Sequence, residues 1–171
     1  RADGFKLLKG KKVGLITNHT GRARTGEATI DLIAGLEDVT LVALFSPEHG
    51  VRGSAGPGAA VANAVDSATG LPIYSLYGQN TAPTAAMLAG LDVLLVDLQD
   101  VGARYYTYLG TTVAVMRAAV RDGKRVVVLD RPNPIGGTVQ GNVLDTAFAS
   151  FVGILPVPMR HGMTLGELAR L

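Results

Sequence analysis

Leu91-Asp92-Val93-Leu94-Leu95-Val96-Asp97-Leu98 decides the fold. Its apolar residues do not alternate with polar ones, so a strand here is covered on both faces, as in the centre of a parallel sheet. Proline and glycine bracket a short helix before it, with Pro83 near the start, Met87 and Leu88 within and Gly90 past the end. After it, Tyr105, Leu109, Val113, Met116 and Val120 form a helical stripe ended by Asp122-Gly123. A β-branched run, Val126 to Leu129, follows as the next strand.

Outward from this centre the same alternation recurs. Lys12 to Thr17 and Leu41 to Phe45 read as two more strands, separated by a helix whose apolar face is Thr29, Leu32, Ile33 and Leu36. From Ser46 to Gly70 no period is visible, and glycines at 50, 53, 56 and 58 speak against a helix. Such a loop is functional, mobile, or hides a small hairpin. Pro72 to Leu76 is a short strand candidate, and Phe151 to Val157 a further one. Asp130-Arg131-Pro132-Asn133-Pro134 is irregular because of its two prolines. Thr164 and Glu167 form a capping box that opens a last helix. The expected fold is α/β, a Rossmann-like, mostly parallel open sheet with flanking helices. Residues 1–150 would form this domain, and 151–171 the last strand and the opening of a following segment. The chain starts at Arg1 rather than Met and runs to Leu171, inside an expected helix, which suggests a fragment or a processed chain.

The bulk properties narrow the function classes. The 171 residues are 47% hydrophobic and 18% charged, ordinary for a globular domain. A net charge of +2 without a basic run argues against nucleic acid. No apolar run reaches the roughly 20 residues of a membrane span. The chain has no cysteine, which removes disulfides and thiolate metal sites. Dinucleotide, P-loop, nucleophile-elbow and zinc-protease motifs are all missing.

Polar residues gather where the strands end. They are Asn18-His19, Ser46-Pro47-Glu48-His49, Asp97-Leu98-Gln99-Asp100 with Arg104, Asp130-Arg131-Pro132-Asn133, and Arg160-His161. In an open parallel sheet these ends share one edge, where ligands bind. Each has a plainer alternative. Ser46-Pro47-Glu48 could open a helix, and His49 could simply bond a carbonyl. Asp97 and Asp130 could tie adjacent loops, while Arg104 and Arg131 could be surface ion pairs or anion ligands. Among the tyrosines, Tyr105 and Tyr108 fit core packing. Tyr106, about 100° away from Tyr105 on the helical wheel, faces the crevice, with Gly110 leaving space beside it.

Five blocks together resemble the exo-β-N-acetylmuramidases of the NamZ type. They are Thr17-Asn18-His19-Thr20-Gly21, Leu44-Phe45-Ser46-Pro47-Glu48-His49-Gly50, Gln99 to Tyr108, Leu129-Asp130-Arg131-Pro132-Asn133-Pro134 and Arg160-His161-Gly162-Met163-Thr164. The resemblance implies the N-terminal Rossmann-like domain of a longer two-domain protein, a glycosidase that removes terminal N-acetylmuramic acid from the non-reducing end of peptidoglycan fragments. It implies Glu48 and Tyr106 as catalytic residues, and neither a metal nor another cofactor. On this reading Glu48 is the general acid, with Asp97 or Asp100 as a second carboxylate; alternatively a tyrosine or the substrate's own 2-acetamido group takes that part. Arg104, Arg131 or Arg160 would hold the lactyl carboxylate. Asn18 and His19 would bind sugar hydroxyls, and His49, Gln99, Asn133 and His161 would complete the substrate contacts. The partner is a muropeptide glycan, and the expected location is secreted or periplasmic, with the cytoplasm left open. Two other classes stay in play. One is a carbohydrate-binding module without catalysis; the other is a metal-dependent hydrolase built on His19, His49 and Asp97.

Overall fold

The computed structural model describes residues 5–53 and 62–171. Gly56 and Gly58 of the long glycine-rich loop lie outside the described residues. The main sheet has six strands: β1 (Lys11–Thr17), β2 (Val39–Ser46), β3 (Ala64–Val65), β4 (Pro72–Ser75), β5 (Val93–Asp97) and β6 (Arg125–Val128). Their order is β3-β4-β2-β1-β5-β6. All neighbours are parallel except β3, which pairs antiparallel with β4. The sheet is thus α/β and mostly parallel, and the stretch before Gly70 supplies one strand, β3, of a small hairpin whose other strand, β4, lies beyond it. All five residues of β5 are buried, as its unbroken apolar run requires.

The pleat sends alternate residues to two cores. Val13, Leu15, Val93 and Leu95 join the core under α1 (Thr29–Ala34). Ile16, Leu94, Val96 and Leu98 join the core under α3 (Thr107–Arg121). The short helix α2 (Ala85–Leu88) is capped by Thr84, whose side chain accepts from the Met87 N–H.

Three expectations are corrected. The stripe on α3 is buried only in part: Leu109 is buried and Val113 packs against the core, but Tyr105 is 60% and Val120 82% exposed. Burial follows Tyr108, Leu109, Gly110, Thr111, Thr112, Val115, Ala118 and Ala119. The helix begins only at Thr107, with Tyr106 in extended conformation at its N-cap. Small residues line the face that comes closest to the sheet, a pattern that a search for large apolar side chains passes over.

Secondly, Phe151 to Val157 is not a strand. That run consists of turns and one isolated bridge, and the strand lies just beyond it, β8 (Pro158–Arg160). It pairs antiparallel with β7 (Gln140–Val143) in a separate two-stranded sheet, so Arg160-His161 does not follow a strand of the parallel sheet. Thirdly, the space beside Gly110 is filled. A Cβ there would collide with the Phe151 carbonyl, and the Phe151 ring presses against the same spot. The capping box at Thr164 and Glu167 is formed and opens α4 (Leu165–Leu168).

Candidate active site

Two strand ends and one helix start build the polar centre. Past β1 the pleat turns Thr17 toward the α1 side, where its hydroxyl donates to the Asp97 carbonyl (3.0 Å). It turns Asn18 toward α3. The Asn18 Oδ1 accepts from the Thr20 N–H (2.9 Å) and the Thr20 hydroxyl (2.6 Å), while Nδ2 donates to the Tyr108 hydroxyl oxygen. Thr20 Oγ1 in turn accepts from the Gln99 N–H (3.2 Å). The Tyr106 and Tyr108 rings meet edge to face, with centroids 4.7 Å apart. Burial pushes the Tyr108 phenol well above its ordinary value; charge on Tyr106, a hydrogen bond to Tyr106 and the Glu48 charge add to the effect.

Glu48 comes from β2. The strand stops at Ser46, Pro47 turns the chain, and His49 takes a left-handed conformation (φ 75°) before Gly50. No helix starts here, so the plainer reading of Ser46-Pro47-Glu48 fails. The half-buried Glu48 carboxylate accepts from the Thr107 hydroxyl (3.1 Å) in the first turn of α3. It also accepts from the Tyr77 hydroxyl, and its charge raises the Tyr77 phenol. Thr107 and Tyr77 were not singled out in the sequence. The strand-end rule extended to β4 would have found Tyr77, which lies two residues past Ser75.

The remaining candidates fall into separate groups. Asp97, fully buried, accepts from Arg131 Nε (2.7 Å) through Oδ1 and from the Thr29 hydroxyl (2.5 Å) through Oδ2. Arg131 also donates to the Arg22 carbonyl (3.0 Å). Asp97 thus locks α1 and the 130–134 loop to the sheet, on the face away from Tyr108. The odd-numbered residues of β5 all point there.

Asp100 and His161 form a second buried pair, 3.4 Å apart. Burial raises the Asp100 carboxyl, against the opposing influence of the Gly102 N–H and His161. The other two arginine candidates also direct donors at protein acceptors. Arg104 donates to the Asn142 (2.7 Å) and Val157 (2.8 Å) carbonyls, and Arg160 to Gln140 (2.9 Å) and to the Ile135 carbonyl. Gln99 donates to the Asp100 (2.7 Å) and Pro132 (3.0 Å) carbonyls, and Asn133 to the Met163 carbonyl (2.9 Å). His19 is exposed and packs under Gly53, whose close approach and φ of 75° leave no room for a Cβ. Asp130, the strand end suspected of a structural role, accepts from the Thr164 hydroxyl (2.7 Å) and the Gly166 N–H (2.8 Å).

Among the described residues no three His, Asp or Glu side chains form a group that could hold a metal, so His19, His49 and Asp97 are not brought together. Among the described residues no helix is long and apolar enough to cross a membrane.

The sequence and the fold are similar to those of known proteins. The chain is 50% identical over 170 residues to the peptidoglycan beta-N-acetylmuramidase NamZ of Bacillus subtilis (strain 168), covering 99% of this chain and 41% of that protein. Two crystal structures of DUF1343 family proteins from Bacteroides fragilis NCTC 9343 superpose on it. One has a TM-score of 0.92 at 48% identity, covering 99% of this chain and 42% of that one. The other has a TM-score of 0.83 at 42% identity, covering 97% and 42%. The chain therefore spans less than half the length of these relatives. The family model described as exo-beta-N-acetylmuramidase NamZ, N-terminal, matches residues 13–171, and the chain belongs to that family.

Proposed function

We propose that this chain carries the catalytic edge of a glycosidase that releases terminal N-acetylmuramic acid from the non-reducing end of peptidoglycan fragments. The observation that carries the reading is the Glu48 carboxylate. It is held by the Thr107 hydroxyl at the C-terminal edge of the sheet and neighboured by the Tyr106–Tyr108 pair. A half-buried carboxyl at the end of a rigid strand suits a general acid aimed at a glycosidic oxygen. Thr107 and Tyr77 orient it.

Both carboxylates first considered for the second catalytic group are buried: Asp97 is committed to Arg131 and Thr29, and Asp100 uses Oδ1 for the Gly102 N–H beside His161 while its Oδ2 has no hydrogen-bond partner among the described residues. That burial favours Tyr106 or the 2-acetamido group of the muramic acid itself as the partner that meets the developing positive charge. A substrate of this kind fits a secreted or periplasmic protein, with the cytoplasm left open, and fractionation of cells would test it.

The direct test is incubation of the intact protein with a chromogenic muramic acid glycoside and with a muramic acid-terminated disaccharide. Release of free N-acetylmuramic acid, lost in Glu48→Gln, is the expected result. Binding without product would instead assign the chain to glycan recognition.

A further inference from the structure

Asp100 is buried just past β5, and its two oxygens are used unequally. Oδ1 accepts from the Gly102 N–H (2.7 Å), while Oδ2 has no hydrogen-bond partner among the described residues. Gly102 is left-handed (φ 82°), and a Cβ there would collide with Asn133 Oδ1. β8 holds the residues that follow. The Gly102 carbonyl accepts from the His161 N–H (3.4 Å), the Arg104 N–H donates to the Met159 carbonyl (2.8 Å), and Ala103 bridges to Arg160. The Tyr106 N–H closes onto the Ala103 carbonyl (2.9 Å). The next residue, Thr107, opens α3 and donates to Glu48 (3.1 Å). The buried His161 ring lies behind Asp100, with Nε2 3.4 Å from Oδ1. Its Nδ1 accepts from the Met163 N–H (3.2 Å), and a backbone N–H can only donate, so the ring proton is on Nε2, the side of Asp100.

We propose that Asp100 is a positioning residue: by holding the Gly102 N–H it sets the turn from which α3 starts, and so the place where the Thr107 hydroxyl meets the Glu48 carboxylate. A chain that bends at a left-handed glycine is free to swing there unless a side chain ties the turn. At 3.1 Å the Thr107 contact has little slack, since a shift of about 0.5 Å takes it out of hydrogen-bond range. The role needs an acceptor at Oδ1 and nothing at Oδ2, in keeping with the unequal use of the two oxygens. The inference deepens the glycosidase reading and rests on it only for the kinetic readout. It assigns Asp100 to the shape of the site rather than to substrate contact.

A double-mutant cycle on release of N-acetylmuramic acid by the intact protein tests it. Asp100→Ala should lower kcat, measured per folded molecule, about tenfold and leave KM within about twofold. Asp100→Asn keeps the Oδ1 acceptor for Gly102 and for the His161 Nε2–H side, and should bring kcat back to within about threefold of wild type. In a Thr107→Val background Asp100→Ala should add less than about twofold, because both changes remove the same contact. A loss in Asp100→Asn as large as in Asp100→Ala makes the charge or proton of Asp100 part of the chemistry and overturns the proposal. Additive losses in the cycle overturn it too. Crystal structures give a readout without turnover: the Thr107–Glu48 hydrogen bond is expected in wild type and Asp100→Asn and broken in Asp100→Ala, and its survival in Asp100→Ala overturns the proposal. Should Asp100→Ala not fold, Asp100→Leu, with the same branching and no acceptor, takes its place, and the Asp100→Asn arm stands on its own. If the wild type releases no N-acetylmuramic acid, the hydrolase reading fails, and the crystallographic contact alone decides the role of Asp100.

Discussion

Asp97 and Glu48 are both carboxylates delivered by strand ends, those of β5 and β2 on either side of β1, yet they serve opposite purposes. Asp97 sits under α1 with both oxygens occupied, one by Arg131 and one by Thr29. Glu48 sits half-buried beside α3, accepting from the Thr107 and Tyr77 hydroxyls. An arginine and a threonine that bridge two loops make a brace, because the arginine is a fixed counter-ion for the buried carboxylate. Hydroxyl donors orient a carboxyl without supplying a counter-ion. One edge of the sheet is thus divided by its pleat into a structural side and a reactive side.

The largest expected effect breaks the comparison on the reactive side. Glu48→Gln should lower turnover at least about a hundredfold while leaving the thermal midpoint near wild type; near-normal turnover would end its assignment as the acid. On the structural side, Asp97→Asn should do the opposite. It is expected to cost about 2 kcal/mol of stability in denaturant unfolding, because Arg131 loses its counter-ion, with KM unchanged in the fraction that folds. A KM change without a stability change would move Asp97 to the reactive side.

Gly110→Ala sharpens the boundary between α3 and the 150–154 segment. The added methyl meets the Phe151 carbonyl, and a loss of about 1.5 kcal/mol in the same unfolding assay is expected. The smallest effect lies far from the edge. Arg52 bridges Asp66 (2.9 Å) and Asp31 (2.9 Å), and its hydrogen bond holds the Asp66 carboxyl at about 2. Because this value is depressed, the stabilisation is present above the ordinary carboxylate range and is lost as pH falls from about 4 toward 2. With Arg52 35% exposed, Asp66→Asn should cost about 1 kcal/mol at pH 7. The gap between variant and wild-type melting curves should close on acidification.

Much of the fold was legible because burial on both faces leaves an unmistakable mark. The apolar runs at 12–17, 41–45 and 91–98 became β1, β2 and β5, displaced by only a residue or two at their ends. Where the chain relies on small residues the sequence was less readable. Thr111, Thr112, Ala118 and Ala119 bury a face of α3 that carries no large apolar signal. The run 151–157 is apolar because Val157 joins the α3-side core, and a short apolar run serves a buried turn as readily as a strand. Of the site, Glu48 and Asn18 were readable from their places after strands, and Tyr77 would have been from its place after β4, whereas Thr107 was not, because a lone hydroxyl carries no pattern.

The sequence by itself determined that this chain folds as a mostly parallel sheet with polar strand ends on one edge, and to which family it belongs. Hydrophobic periodicity and strand-end position are local properties, written residue by residue. Only the tertiary structure decided which side of the edge each polar group serves. That depends on the parity of the pleat at Asp97 and Asn18, on the start of α3 at Thr107, and on donors from other strands that orient Asn18 and Tyr108. These are relations between segments about 80–90 residues apart, and no single stretch of sequence contains them.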